Sequence, residues 1–250
     1  NYANTSPYFD GVLKNVLKNT NSLDGYPGYK DHENDLVAWY KFDGNGNDML
    51  LDASGNNHTL INPSGTTPEY DNVVKVVGDG SLKLTNDYID MPSTLNPYTI
   101  WNGNGISFSL WFKMPTSSPN YARLFTFVDN TTTQNPSNGI FVCRHLTTSN
   151  LLFRILDGSY NDFICSGSFV DNNWHHLVWS VDTSGVWSVY IDNVYINPNK
   201  TRIPVNFTPT RRYIGRSGYP VDTTYSELNM DDFRIYDKVL SDFEVKQIYS

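Results

Sequence analysis

No run of lysine and arginine occurs in this 250-residue chain. Nucleic-acid binders need clustered cations to displace the counterions of a phosphate backbone, so a formal net charge of -8 and a pI near 5.0 exclude that class of partner. Apolar runs are short as well. None approaches the roughly 20 residues that cross a bilayer, and the start has no charged segment followed by an apolar one, so no membrane span is expected. The first residue is Asn1, not Met, as expected of a processed product or an excised fragment, which leaves targeting by a removed signal peptide open.

Cysteine is scarce. Cys143 and Cys165 fall in strand-like runs, with a third run at 151–155 between them. If the three form a meander, the cysteines sit two strands apart, about 9–10 Å, beyond the roughly 7 Å Cα separation that a disulfide tolerates. Free, buried thiols are expected; a different strand order would reverse this.

What the chain does have is alternation. Short runs of apolar, aromatic and β-branched residues at every second position recur at 36–42, 81–91, 105–114, 121–128, 139–145, 151–155, 162–170, 174–182, 186–191, 212–215 and 231–236, separated by Gly, Asn, Asp and Pro. Many short strands with such turns predict an all-β sandwich or barrel, and a chain this long suits one β domain with a full core. Residues 1–35 differ: the only periodic feature there is Val12, Leu13, Val16 and Leu17, too short a face for a stable helix alone. They read as an N-terminal arm or linker ahead of a sandwich over 36–250. One later helix is expected, because Ser241-Asp242-Phe243-Glu244 has the form of a capping box ahead of Val245, Ile248 and Tyr249.

The wording of these runs resembles a known family. Ala38-Trp39-Tyr40-Lys41-Phe42-Asp43, Asp52-Ala53-Ser54-Gly55-Asn56-Asn57, Gly80-Ser81-Leu82-Lys83-Leu84, Tyr88-Ile89-Asp90-Met91-Pro92, Phe108-Ser109-Leu110-Trp111-Phe112-Lys113, Trp174-His175-His176 and Asp231-Asp232-Phe233-Arg234-Ile235-Tyr236 follow one another as in the laminin G-like branch of the concanavalin A-like lectin/glucanase superfamily. The resemblance implies a two-layer antiparallel jelly-roll β-sandwich, concanavalin A-like, with a short C-terminal helix. Two departures stand out. Asn193 occupies the place of a family Gly in the Tyr-x-Asp-Gly turn, which Asn tolerates because it accepts the left-handed conformation. A Gly usual before Asp231 is replaced around Glu227 and Leu228, which alters the adjoining rim loop.

Glucanases of that superfamily act through two carboxylates about 5 to 5.5 Å apart in retaining enzymes. The chain has only Glu33, Glu69, Glu227 and Glu244, with no Glu-x-Asp-x-Glu arrangement, so no catalytic residue is assigned and no enzyme is expected. A metal fits better. Asp43-Gly44-Asn45-Gly46-Asn47-Asp48 fails as an EF-hand, since Asp48 and Ser54 stand where Gly and Glu are required. The resemblance instead implies Ca²⁺ where the first-strand loop meets the terminal strand, with Asp231 as carboxylate and Asp43, Asp52 or carbonyls near Gly78 completing the shell; Asx-turns are the plain alternative. His175 and His176 alternate across a strand, so they do not chelate one ion.

Aromatics are abundant, with 17 Tyr, 13 Phe and 6 Trp. If Phe108, Leu110 and Phe112 face the core, Trp111 lies on the other face, and the same count turns His176 and Tyr190 outward. Ring faces beside polar groups suit sugars, so these three are the candidate ligand residues unless a loop or the N-terminal arm covers them. Sequons at Asn4, Asn57, Asn130, Asn199 and Asn206 agree with an extracellular, cell-surface or virion-surface setting. The expectation is a non-catalytic module that recognises a glycan or glycoprotein, with structural calcium. The alternatives are an assembly module that binds neighbouring protein subunits and a glycoside hydrolase with an unrecognised acidic pair.

Overall fold

Alternation decides which side of each strand is buried. The computed structural model describes residues 35–63, 68–129, 135–220, 222 and 224–250; the features noted at Asn4, Val12 to Leu17, Glu33 and Asn130 lie outside them. Residues 36–250 form one compact unit. The strands in chain order are β1 (Leu36–Tyr40), β2 (Glu69–Asp71), β3 (Ser81–Thr85), β4 (Ile89–Asp90), β5 (Ile106–Lys113), β6 (Arg123–Val128) and β7 (Asn138–Arg144). Then come β8 (Leu151–Asp157), β9 (Tyr160–Cys165), β10 (Trp174–Val181), β11 (Trp187–Ile191), β12 (Val194–Ile196), β13 (Arg211–Ile214) and β14 (Glu227–Tyr236).

Two antiparallel sheets pack face to face. The eight-stranded sheet runs β12-β11-β10-β5-β14-β3-β2 with β1 also on β14, and the six-stranded sheet runs β4-β13-β6-β7-β8-β9. Phe108, Leu110 and Phe112 from one sheet meet Phe125, Phe127 and Phe153 from the other in a single core that also encloses Trp179 and Trp187. Burial of each such ring contributes about 1.5–3 kcal/mol, so the layers hold without a covalent staple. Cys143 and Cys165 are indeed free and buried, two strands apart in the β7-β8-β9 meander.

The long strand β14 positions the rim. One of its edges pairs with β5 from Asn229 to Tyr236, whereas the other pairs with β3 through Met230 and with β1 from Phe233 onward. A register shift between Asp231 and Arg234, with Asp232 at φ 52°, marks the changeover. Such a bulge re-aims side chains at a sheet junction.

Some expectations are corrected. The run at 81–91 is two strands, as the resemblance implied, but they lie in different sheets, because the chain turns the corner at Asn86 with φ 61°. Among the described residues two α-helices are formed, not one: α1 (Pro97–Trp101) starts at Asn96, whose side chain accepts the Tyr98 amide, with proline in its first turn. The other, α2 (Asp242–Tyr249), has the expected reciprocal capping box between Ser241 and Glu244. The Asp192–Asn193 turn survives without glycine, both residues adopting positive φ of 52° and 62° as a two-residue hairpin turn requires. Among the described residues no helix is long and apolar enough to cross a membrane.

Candidate functional site

Trp111, His176 and Tyr190 face away from the core as their alternation requires, yet they are only 8 %, 0 % and 6 % exposed. The cover is α2. Tyr249 stacks on Trp111 at 5.3 Å and 20°, and also approaches the His176 ring at 5.7 Å. Val245 and Ile248 pack with Tyr190, Val178 and Leu36. Tyr190 donates its hydroxyl to the Asp242 carboxylate. No open ring face is left for a sugar at these three residues, which corrects their reading as ligand contacts.

His176 is the unusual member. Its Nε2 pairs with Ser109 Oγ at 3.0 Å, and its buried Nδ1 has no partner among the described residues. Burial, reinforced by the Arg234 charge, pulls the imidazole down to about 3. His175, on the other side of the strand, bonds Asp192 through Nδ1 and Asp171 through Nε2.

The oxygen ligands expected at the rim divide. Asp231 lies at the β14 changeover, fully buried; its Oδ2 accepts the Val76 and Val77 amides at 2.8 and 2.9 Å while its Oδ1 has no partner among the described residues. Burial pushes its carboxyl up to about 7 against those two hydrogen bonds, and the Asp232 and Asp43 charges add to the rise. Asp43 joins it, accepting the Asp79 and Gly80 amides. Gly78, at φ 65°, lies so close that a Cβ would sit 2.3 Å from Asp43 Oδ1. Two carboxylates and one glycine loop therefore converge. An orphaned buried carboxylate oxygen beside a second carboxylate is a set of hard donors that fits Ca²⁺. Among the described residues no three His, Cys, Asp or Glu side chains form a metal-binding group, so backbone carbonyls and water would complete the shell.

Asp52 is not part of it. Its two oxygens accept the Trp39, Ser54 and His58 amides and the Ser54 hydroxyl, all within 3.0 Å. Burial opposes its charge, but those bonds together hold its carboxyl below the usual range. This is the Asx-type loop closure. Asp232 is likewise committed, to Trp39 Nε1 and to the Arg234 guanidinium.

Sequence reasoning missed the other sheet. On its outer face, the register aligns Asp90, Tyr213, Thr126, Phe141, Arg154 and Asp162 in one row across all six strands. Residues 216–220 fold back as a strap over the middle of that row. Arg216 and Tyr225 form a bridge, and Ser217 N donates to Thr224 O. Gly218 lies on the sheet: a Cβ there would stand 2.4 Å from Val128 Cγ2 and 2.7 Å from Thr126 Cγ2, so only glycine allows this approach. Tyr219 meets Phe141 edge-on at 6.1 Å, and the Arg123 guanidinium stacks 4.3 Å above the Phe141 ring.

The ends of the row stay open. At one, Tyr88, Tyr213 and Tyr225 surround Arg216 beside Asp90, all half-buried. Burial raises the Asp90 carboxyl, and the charges of Arg216 and Arg212 oppose the rise. At the other, Tyr160 is 59 % exposed and the Arg154 guanidinium lies 4.0 Å over its ring while binding both Asp162 oxygens at 2.5 and 2.6 Å. At these two ends, ring faces lie beside charged groups within reach of solvent, as sugar recognition needs. A signal existed in the sequence: Arg211-Arg212-Tyr213-Ile214-Gly215-Arg216-Ser217-Gly218-Tyr219 is the densest basic and aromatic stretch of an acidic chain.

Comparison with known proteins agrees with this architecture. A laminin G-type family model, described as the concanavalin A-like lectin/glucanases superfamily, matches residues 79–246. No curated protein matches in sequence. Among solved structures, domain 4 of an extracellular arabinanase from Geobacillus stearothermophilus, in complex with arabinotriose, is similar at a TM-score of 0.63 and 23% identity, covering 86% of this chain and 98% of that one. The botulinum neurotoxin serotype D binding domain is similar at 0.61 and 17% identity, covering 87% and 51%. The binding domain of Paraclostridial Mosquitocidal Protein 1 is similar at 0.61 and 18% identity, covering 88% and 52%. This chain spans about half the length of those toxin binding domains, and at such identities the likeness is one of fold. With two thirds of its length under the family model and the same two-sheet sandwich, the chain belongs to the laminin G-like branch of the concanavalin A-like lectin/glucanase superfamily.

Proposed function

We propose that this chain is a non-catalytic glycan-recognition module that presents the outer face of its six-stranded sheet to a saccharide and holds a structural Ca²⁺ between Asp231 and Asp43. The observation that carries the reading is the pair of open ends of the cross-strand row, where tyrosine faces lie beside Arg216 and Asp90 at one and beside Arg154 and Asp162 at the other. The arabinanase domain with a bound arabinotriose has the same fold. The row also supports the absence of catalysis: its two carboxylates, Asp90 and Asp162, stand five strand spacings apart, about 24 Å, far beyond the roughly 5–9.5 Å that glycosidases use. Calcium would supply charge to the partnerless Asp231 oxygen and fix the 74–80 loop, which the two carboxylates already hold by its amides. Exposed sequons at Asn57, Asn199 and Asn206 support an extracellular, cell-surface or virion-surface setting.

A glycan array with Ca²⁺ and with chelator tests the reading. Wild-type protein should retain at least one glycan class, and Tyr213→Ala should weaken the strongest signal by roughly tenfold, the loss of one stacking ring. Silence in both conditions, or binding indifferent to Tyr213→Ala and Tyr160→Ala alike, would reject the reading.

A further inference from the structure

Of the eight arginines in the sequence, Arg216 alone makes neither an ion pair nor a side-chain hydrogen bond among the described residues. Arg154, Arg202 and Arg234 are held by aspartates, and Arg123, Arg144, Arg211 and Arg212 donate to backbone carbonyls. What holds Arg216 is aromatic: its guanidinium carbon lies 4.4 Å from the Tyr88 ring centroid, 5.1 Å from Tyr213 and 5.3 Å from Tyr225. Those rings brace one another, Tyr88 meeting Tyr213 edge-on at 5.2 Å and Tyr225 at 5.7 Å. Cation–π contact fixes the position of a guanidinium while leaving its N–H donors unspent. One of them, Nε–H, is buried without an acceptor among the described residues, a costly arrangement.

The local charge points the same way. Arg211, Arg212 and Arg216 fall within six residues of a chain whose net charge is -8. Asp90 feels the Arg216 charge but makes no ion pair with it. We propose that Arg216 in its three-tyrosine cradle is a carboxylate-reading subsite, so that the saccharide bound on this face is an acidic one, a uronate or a sialate. The proposal rests on the glycan-recognition reading. A planar, always-charged fork binds a carboxylate through two parallel hydrogen bonds, and the flanking tyrosines stack on the sugar ring that carries it.

The test uses matched pairs immobilised side by side: 3′-sialyllactose against lactose, and polygalacturonate against its methyl ester, for the full chain and for Arg216→Gln and Arg216→Lys. At least one acid should be held about tenfold more tightly than its neutral partner, the scale of a charge-assisted fork. Arg216→Gln should abolish that ratio and Arg216→Lys restore only part of it. The ratio within each variant does not depend on the fraction folded, so a structural role for Arg216 would lower signal without changing preference. Equal retention of acid and neutral partners by wild type, or a preference that persists in Arg216→Gln, overturns the subsite while leaving glycan recognition intact. Retention of no glycan of either class rejects the module reading and the subsite with it.

Discussion

Acidification from about pH 7 to about pH 4 is expected to remove about 3 kcal/mol of stability through His176 alone. The imidazole sits near 6.5 in the unfolded chain and is pulled down to about 3 in the fold by burial and by Arg234. Below 6.5 the unfolded state takes up a proton that the folded state refuses, so the stability is fully present above that value and is lost as pH falls toward 3. The cause is geometric. Trp111 and Tyr249 close over the ring, Ser109 satisfies one nitrogen, and no acceptor faces the other among the described residues. Carboxyls held low by their hydrogen bonds, such as Asp52, Asp171 and Glu244, lose stability in the same direction, but equally in a variant. Urea denaturation of wild type and His176→Gln at several pH values therefore isolates the effect. His176→Gln should show a dependence flatter by about 1 kcal/mol per pH unit below pH 6; parallel curves would contradict it.

Calcium should raise the melting temperature by roughly 3–10 °C at about 10 mM, from the affinity common in extracellular modules and the linkage of binding to folding. Both Asp231→Asn and Asp43→Asn should lose that gain. Asp52→Asn should behave differently, with a lower melting temperature but an undiminished response to calcium, because its oxygens are already filled by Trp39, Ser54 and His58. A melting temperature indifferent to calcium and chelator would remove the metal from the account. A response that survives Asp231→Asn would remove the site.

Period-two burial was legible over most of the chain because each strand has one face in a shared core. It reveals which face a residue takes and nothing about what lies on it. That is why Trp111, His176 and Tyr190 were correctly turned outward and yet are covered: α2 joins the sheet through Val245 and Ile248, an association between segments with no common pattern. The 81–91 run hid a change of sheet because strand propensity does not register the left-handed Asn86 at the corner. At the rim, Asp231, Asp43 and Gly78 come together as the family resemblance implied, whereas Asp52, equally acidic, folds its loop onto its own oxygens. The Arg211 to Tyr219 stretch stood out in composition, but its partners could not be found for a topological reason: Asp90 and Tyr213 are neighbours although 123 positions apart in the chain.

The proposed ligand face is that of the six-stranded sheet, and not the helix-covered one. Hydrogen–deuterium exchange with and without the best retained glycan at saturation tests it directly. Slowed exchange is expected at 88–90 and 211–220, or at 154–162, with no change at 189–196 and 241–250. Protection confined to the α2 segment and β10 to β12 would contradict it.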